Sequence, residues 1–217
     1  MFLTYDINIC NPVTILLSKV LFLMKNISSL CVFCGSRFGN DPAYEETARE
    51  LGAVIADKGI RLVYGGGSIG LMGVVANAVM ENGGEVIGVI PQFLDEMEIG
   101  KPDLTELIIT NNMHDRKRRM FDLSDGFISL PGGLGTLDET FEILTWKQLQ
   151  VHAKPVIILD VAGYWTELLG LIDAVISKGF ADQRIKGMYQ VAHNTAEVFA
   201  SLDAAPEPQF KPYPENL

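Results

Sequence analysis

The chain is poor in the residues that build disulfide frameworks, metal centres and nucleic-acid surfaces. Only three cysteines, Cys10, Cys31 and Cys34, occur in 217 residues. That is too few for a disulfide scaffold and implies a reducing, cytoplasmic setting. Cys31 and Cys34 form a C-x-x-C, but within an apolar run, Ser29 to Cys34, that reads as a strand. Residues three apart on a strand point to opposite faces, so neither redox pairing nor chelation is expected. The three histidines, His114, His152 and His193, lack metal-ligand spacing, and neither metal nor cofactor is expected. Positive charge is also scarce: 17 Lys and Arg stand against 27 Asp and Glu, a net charge of −10. Duplex binding needs several cations on one face, so no nucleic-acid partner is expected. Long apolar runs are missing as well. Ile7 to Met24 comes nearest, but Asn11, Pro12, Ser18 and Lys19 interrupt it, and Asp6 stands where a secretory leader is positive. No membrane span is expected.

Hydrophobic residues make up 48% of the chain, enough for one full core. Met24 and Lys25 precede the first clear strand, so residues 1–24 read as a dispensable extension, 25–203 as the domain, and 204–217 as an irregular tail. That tail carries Pro206, Pro208, Pro212 and Pro214. Within the domain, apolar runs near 29–34, 61–64, 85–90, 106–110, 126–130, 155–159 and 188–193 read as strands. Amphipathic stretches at 42–58, 70–82, 113–124, 136–150, 164–178 and 195–202 read as helices. This alternation predicts a doubly wound, Rossmann-like α/β fold with a parallel sheet covered on both faces. Ligands of such folds bind at the carboxyl ends of the strands, where the loops 35–40, 65–70 and 131–135 fall.

The last of these loops carries the strongest signal. Leu130, Pro131, Gly132, Gly133, Leu134, Gly135, Thr136, Leu137, Asp138 and Glu139 join a strand to a helix beginning near Thr136. Glycines there let the backbone turn and offer its amides, while the helix N-terminus favours an anion such as a phosphate. A plainer reading makes Thr136 and Glu139 a capping box. That needs one such loop residue, whereas three glycines in four positions favour the anion.

The loop Gly65 to Gly70 contains G-x-G-x-x-G, but the next strand ends in Pro91 and Gln92 without the acid that would hold a dinucleotide ribose. A redox dinucleotide is therefore disfavoured. Either a mononucleotide pocket or close helix packing accounts for these glycines. The helix before the main turn begins Met113, His114, Asp115, Arg116, Lys117, Arg118, Arg119, Met120. Arg116 shares a stripe with Met113 and Met120, which places a cation beside the core. A buried arginine needs a carboxylate or phosphate partner, and the alternative is a solvated basic face.

Taken together, Met113 to Lys117 and Pro131 to Glu139 resemble the Lonely Guy family of cytokinin riboside 5′-monophosphate phosphoribohydrolases. The resemblance extends from about Ser28 to Leu202 and includes Gly65 to Gly73 and Thr145 to Leu149. Members are often labelled lysine decarboxylases, a name these motifs do not support. The resemblance implies hydrolysis of the N-glycosidic bond of adenosine 5′-monophosphate or an N6-modified form, and a homodimer with shared active sites. It also implies Arg116 and Glu139 as catalytic residues. Implied substrate contacts are Gly132, Gly133, Leu134, Gly135 and Thr136 in the phosphate loop, with Lys117, Thr145, Glu98, Ser36 and Gly66 beyond it. Asp115 and Asp138 stand where glutamate is usual. The stretch 141–149, with Trp146, is either dimer interface or ordinary core. The competing class is a non-enzymatic nucleotide or molybdenum-cofactor carrier, which shares the glycine-rich turn; the arginine motif favours the enzyme.

Overall fold

In β1 (Ser29–Phe33) every residue is buried, Leu30 and Val32 in one apolar cluster and Cys31 and Phe33 in another. A strand buried on both sides belongs inside a sheet covered on both faces. The structure is a computed structural model that describes residues 27–98, 101 and 103–204. The expectations for residues 1–24, Cys10 and the tail from 205 onward lie outside the described residues.

From β1 the chain passes through α1 (Pro42–Asp57), β2 (Arg61–Tyr64), α2 (Gly70–Glu81), β3 (Val86–Pro91), α3 (Gln92–Glu98) and β4 (Glu106–Thr110). It continues as α4 (Met113–Asp122), β5 (Gly126–Ser129), α5 (Leu134–Gln148), β6 (Val156–Leu159), α6 (Thr166–Ser177), β7 (Gln190–Ala192) and α7 (Thr195–Ala204). The strands form one parallel sheet of order β4-β3-β2-β1-β5-β6-β7. This is the expected doubly wound α/β architecture.

Local chemistry sets the helix starts. Asp41 caps α1 by accepting from Ala43 N at 2.9 Å, with Pro42 in the first turn where its missing N–H costs nothing. Ala48, Leu51 and Ile55 then recur on the face of α1 that joins α2 and α7 over the Leu30 side of the sheet. Asn112 caps α4 by accepting from Asp115 N at 2.9 Å. Met120 and Phe121 of α4 and Ile143 and Leu144 of α5 cover the opposite side, with Cys31 and Phe33. Cys31 and Cys34 therefore fall in different clusters, one on each side.

β1 sits between β2 and β5, so the chain leaves it toward one edge of the sheet and returns on its other flank. At such a switch point the loops after β1 and β5 diverge and open a crevice. Two details differ from the sequence expectation. Short α3 had no periodic signal, being only seven residues long. Helix α5 begins at Leu134 rather than near Thr136, because Gly133 already acts as its N-cap.

Candidate active site

The turn after β5 is packed tightly on one side and bare on the other. Gly35 N donates to Pro131 O at 3.0 Å, joining the loops after β1 and β5. A Cβ on Gly132 would lie 2.1 Å from Thr136 Oγ1 and 2.8 Å from Gly35 N, so only glycine fits there. Built onto Gly133 or Gly135, the same atom would meet nothing within 4 Å. Neither has a positive φ, so neither packing nor backbone conformation requires glycine at these two places. What glycine provides there is exposed backbone. The N–H groups of Leu134, Gly135 and Thr136 belong to the first turn of α5 and have no i−4 carbonyl, while the Leu134 side chain is 84% exposed. These donors and the positive end of the helix dipole are suited to an anion.

The capping box is overturned. Gly133 is the N-cap, and no side chain caps α5. Thr136 lies buried inside the first turn against Gly132, and its carbonyl accepts from Thr140 Oγ1 at 2.7 Å. Glu139 turns away from the helix end toward Arg116 of α4.

Arg116 and Glu139 are only 8% and 7% exposed. Arg116 Nη1 donates to Glu139 Oε1 at 2.7 Å, and Arg116 Nε donates to Val89 O at 3.1 Å. Nη2 comes so near Gly65 that a Cβ there would sit 2.2 Å from it. The guanidinium is thus fixed by a carboxylate, a strand carbonyl and a glycine that makes room for it. Burial pushes the Glu139 carboxyl above its ordinary value of 4.5, and the charge and hydrogen bond of Arg116 oppose that rise. One oxygen of Glu139 is held by the pair; the other, Oε2, lies outside it. A carboxylate so oriented suits hydrogen bonding to a sugar hydroxyl, stabilising positive charge, or accepting a proton.

The other expected contacts divide. Ser36 is exposed in the loop after β1, and its backbone lies so close to Gly70 that a Cβ there would meet Ser36 O at 2.6 Å. Gly66 takes φ +79° and runs against Val89 and Ile90, so close approach to β3 explains it. Lys117 does not face the turn as a free cation. Its Nζ lies 3.1 Å from both Asp138 Oδ2 and Glu142 Oε1, because the α4–α5 interface gives a half-buried ammonium two carboxylates. Thr145 is not brought to the crevice either: it lies exposed, eleven residues beyond Leu134, roughly 16 Å along α5. Glu98 ends α3, and its side chain lies outside the described residues. Trp146 packs edge-on against Phe121 at 5.0 Å and is largely core, whereas Phe141 on the same helix and Leu149 at its C-cap are exposed.

Sequence reasoning missed three participants. Gly65 was visible only as part of a glycine run, and the Val89 carbonyl has no sequence signature. The third is Tyr164, whose phenol donates to Gly132 O at 2.5 Å across 32 residues. Nothing in its spacing points to the turn.

A family model described as possible lysine decarboxylase matches residues 72–202. The probable cytokinin riboside 5′-monophosphate phosphoribohydrolase LOG4 of Oryza sativa subsp. japonica is 42% identical over 179 residues, 82% of this chain and 78% of its own. This chain belongs to that family, the LOG family. The cytokinin riboside 5′-monophosphate phosphoribohydrolase LOG7 of Arabidopsis thaliana is similar too, at 44% identity over 181 residues and 83% of both chains. Among solved structures, the Moco carrier protein of Chlamydomonas reinhardtii superposes with a TM-score of 0.62 at 24% identity, covering 80% of this chain and 94% of its own. The molybdenum cofactor binding protein of Rippkaea orientalis gives 0.61 at 22%, covering 82% and 98%. These two likenesses concern the fold, which the LOG-family chain shares with carriers. Among the described residues of this LOG-family chain, no helix is long and apolar enough to cross a membrane.

Proposed function

We propose that this protein hydrolyses the N-glycosidic bond of adenosine 5′-monophosphate and its N6-modified forms, releasing the free base and ribose 5-phosphate. The observation that carries the reading is the buried Arg116–Glu139 pair beside the bare N-terminus of α5. The relatives named as phosphoribohydrolases supply the substrate class. The 5′-phosphate rests on the N–H groups of Leu134, Gly135 and Thr136. Glu139 follows three to five residues along the same helix, roughly 5–7 Å further, the length scale of a ribose 5-phosphate. Phosphate binding thus places the sugar against the carboxylate, using contacts remote from the bond that breaks.

As the C1–N bond lengthens, positive charge grows at the anomeric carbon, and Glu139 stabilises it and takes a proton from the attacking water. The water oxygen ends on C1, and a proton ends on the departing base nitrogen. Arg116 holds Glu139 in position, and its charge and hydrogen bond favour the ionised carboxylate against the effect of burial. Ser36 and Gly66 line the crevice. Exposed Phe38, Ile69, Phe93 and Met97 lie on segments that follow β1, β2 and β3, and offer apolar surface for an N6 substituent.

The protein works as a homodimer in the cytoplasm, and residues 1–24 are dispensable for folding of the 25–203 domain. Exposed Phe141 on α5 and Leu149 at its C-cap, with Leu171 and Val175 on α6 and Phe180 beyond it, form an apolar face suited to a second copy. Thr145 lies on this face, so its contact with substrate requires a second copy. The test measures base release from adenosine and isopentenyladenosine monophosphates and from their nucleosides, by the native chain and by Glu139→Gln. Release from the monophosphates alone, lost in the variant, is expected. A native protein that binds the nucleotides yet releases no base would make it a carrier.

A further inference from the structure

We propose that Tyr164 is a positioning residue of the nucleotide site: by holding the Gly132 carbonyl it sets the direction of the Gly133 amide and so the shape of the phosphate loop. The inference rests on the reading of the glycine-rich turn as the phosphate site. Tyr164 follows β6 in a turn where Ala162 and Gly163 both take positive φ, 52° and 75°, which reverses the chain ahead of α6. Its ring is fixed from two sides, edge-on to Tyr44 of α1 at 5.5 Å and to Trp165 at 4.7 Å. Tyr44 in turn fills the space beside Gly39, where a Cβ would lie 2.7 Å from its ring. Helix α1, itself packed against the β1–α1 loop, and the β6–α6 turn therefore fix one ring, and the hydroxyl of that ring donates to Gly132 O at 2.5 Å.

The consequence follows from peptide geometry. A trans peptide unit is planar, with its carbonyl and its amide hydrogen pointing in opposite directions. No cis peptide occurs among the described residues. Pinning Gly132 O toward Tyr164 and α1 therefore directs the Gly133 N–H away from them. Helix α1 covers the Leu30 side of the sheet, whereas Arg116 and Glu139 come from the helices of the other side. The Gly133 amide thus extends the row of donors at Leu134, Gly135 and Thr136. Gly133 and Gly132 are the residues most able to change conformation here, so an unpinned turn samples other peptide orientations. Preorganised donors bind an anion without the cost of ordering them first.

Tyr164→Phe keeps the ring contacts and deletes the hydroxyl. We expect KM for adenosine monophosphate and the inhibition constant of ribose 5-phosphate to rise together about tenfold, with kcat within about twofold. Tyr44→Phe leaves the Tyr164 hydroxyl in place and serves as the control, with native constants. Unchanged KM and inhibition constant in Tyr164→Phe overturn the inference. So does a loss of folding or melting temperature alone, which would make the hydroxyl merely structural. If the native protein itself releases no base, the enzyme reading fails separately, and calorimetric titration with adenosine monophosphate still decides: a roughly tenfold weaker Kd in the variant supports the inference, and an equal Kd overturns it.

Discussion

At the amino end of the sheet, Asp125 Oδ2 accepts from the backbone N–H groups of Ser28 and Ser29 at 2.9 and 3.0 Å and from their hydroxyls at 2.8 and 3.1 Å. Nearby, Lys154 Nζ donates to Phe121 O at 2.7 Å and lies 3.9 Å from the centre of the Phe121 ring. Buried His152 is engaged at both nitrogens, with Ile143 O at 2.9 Å and Lys154 N at 3.1 Å. At the carboxyl end the turn after β5 leaves first-turn amides bare, and the same helix carries Glu139 of a buried ion pair. Polar groups at the first end satisfy one another; at the second, the first-turn amides are left open, as the proposed phosphate site requires. On the proposed function, chemistry is confined to the second end, and the contrast can be broken experimentally at either.

The largest effect is expected from Glu139→Gln. It retains the shape of the side chain but removes the charge, so base release should fall by about 10²–10⁴-fold while nucleotide binding changes little. Single-turnover assays with a parallel binding titration separate the two. Because burial raises the Glu139 carboxyl, the acid limb of native kcat/KM should lie above 4.5 and vanish in this variant.

Arg116→Met tests whether the carboxyl end also carries stability. It leaves a buried carboxylate without its partner, and urea unfolding should show a loss of about 3–5 kcal/mol near neutral pH. The loss should shrink in acid, where Glu139 takes up a proton. The expected loss would show that the carboxyl end carries stability as well; an unchanged urea midpoint would show the pair to be solvated and leave stability to the amino end.

Asp125→Ala should act on stability alone, by about 1–3 kcal/mol, with kcat and KM per folded molecule unchanged. Burial pushes the Asp125 carboxyl upward, but the hydrogen bonds from Ser28 and Ser29 outweigh it and hold the group below its ordinary 3.8. A depressed carboxyl stabilises above its unfolded value and loses that contribution as pH falls through its folded value. The pH dependence of the urea midpoint below 4 should therefore be shallower in the variant.

The smallest effect concerns His152, whose imidazole is held below its ordinary 6.5 by burial, with Lys147 and Lys154 adding to this and the bond to Ile143 opposing it. The unfolded chain then takes up the proton first, so the contribution is full above 6.5 and is lost as pH falls toward the folded value. Native stability should drop between pH 7.5 and 5.5 from this group, by no more than about 1.4 kcal/mol, and His152→Asn should flatten that slope. Equal slopes would remove His152 from the comparison.

Much of the fold was readable because apolar runs and amphipathic stretches have different periods. A strand buried on both sides, such as Leu30 to Phe33, needs an uninterrupted apolar run, and the sequence has one. Helix ends were less legible: the T-x-x-E of Thr136 and Glu139 matches a cap locally, and only the partner on α4 draws Glu139 away. Lys117 shows the same limit, since its two carboxylates sit on another helix. For Trp146 sequence left two readings, and contact with Phe121 selects the core.

The sequence by itself determined the doubly wound class, the glycine-rich turn at a strand–helix junction and the arginine placed on an apolar stripe. These are local properties of spacing and residue type, and local sterics and burial enforce them. Tertiary structure decided which carboxylate meets Arg116, that Gly65 makes room for it, that Lys117 is internally paired and that Tyr164 grips Gly132 from 32 residues away. Such contacts depend on how helices from distant segments are brought together over the sheet, and no periodicity in the chain encodes them.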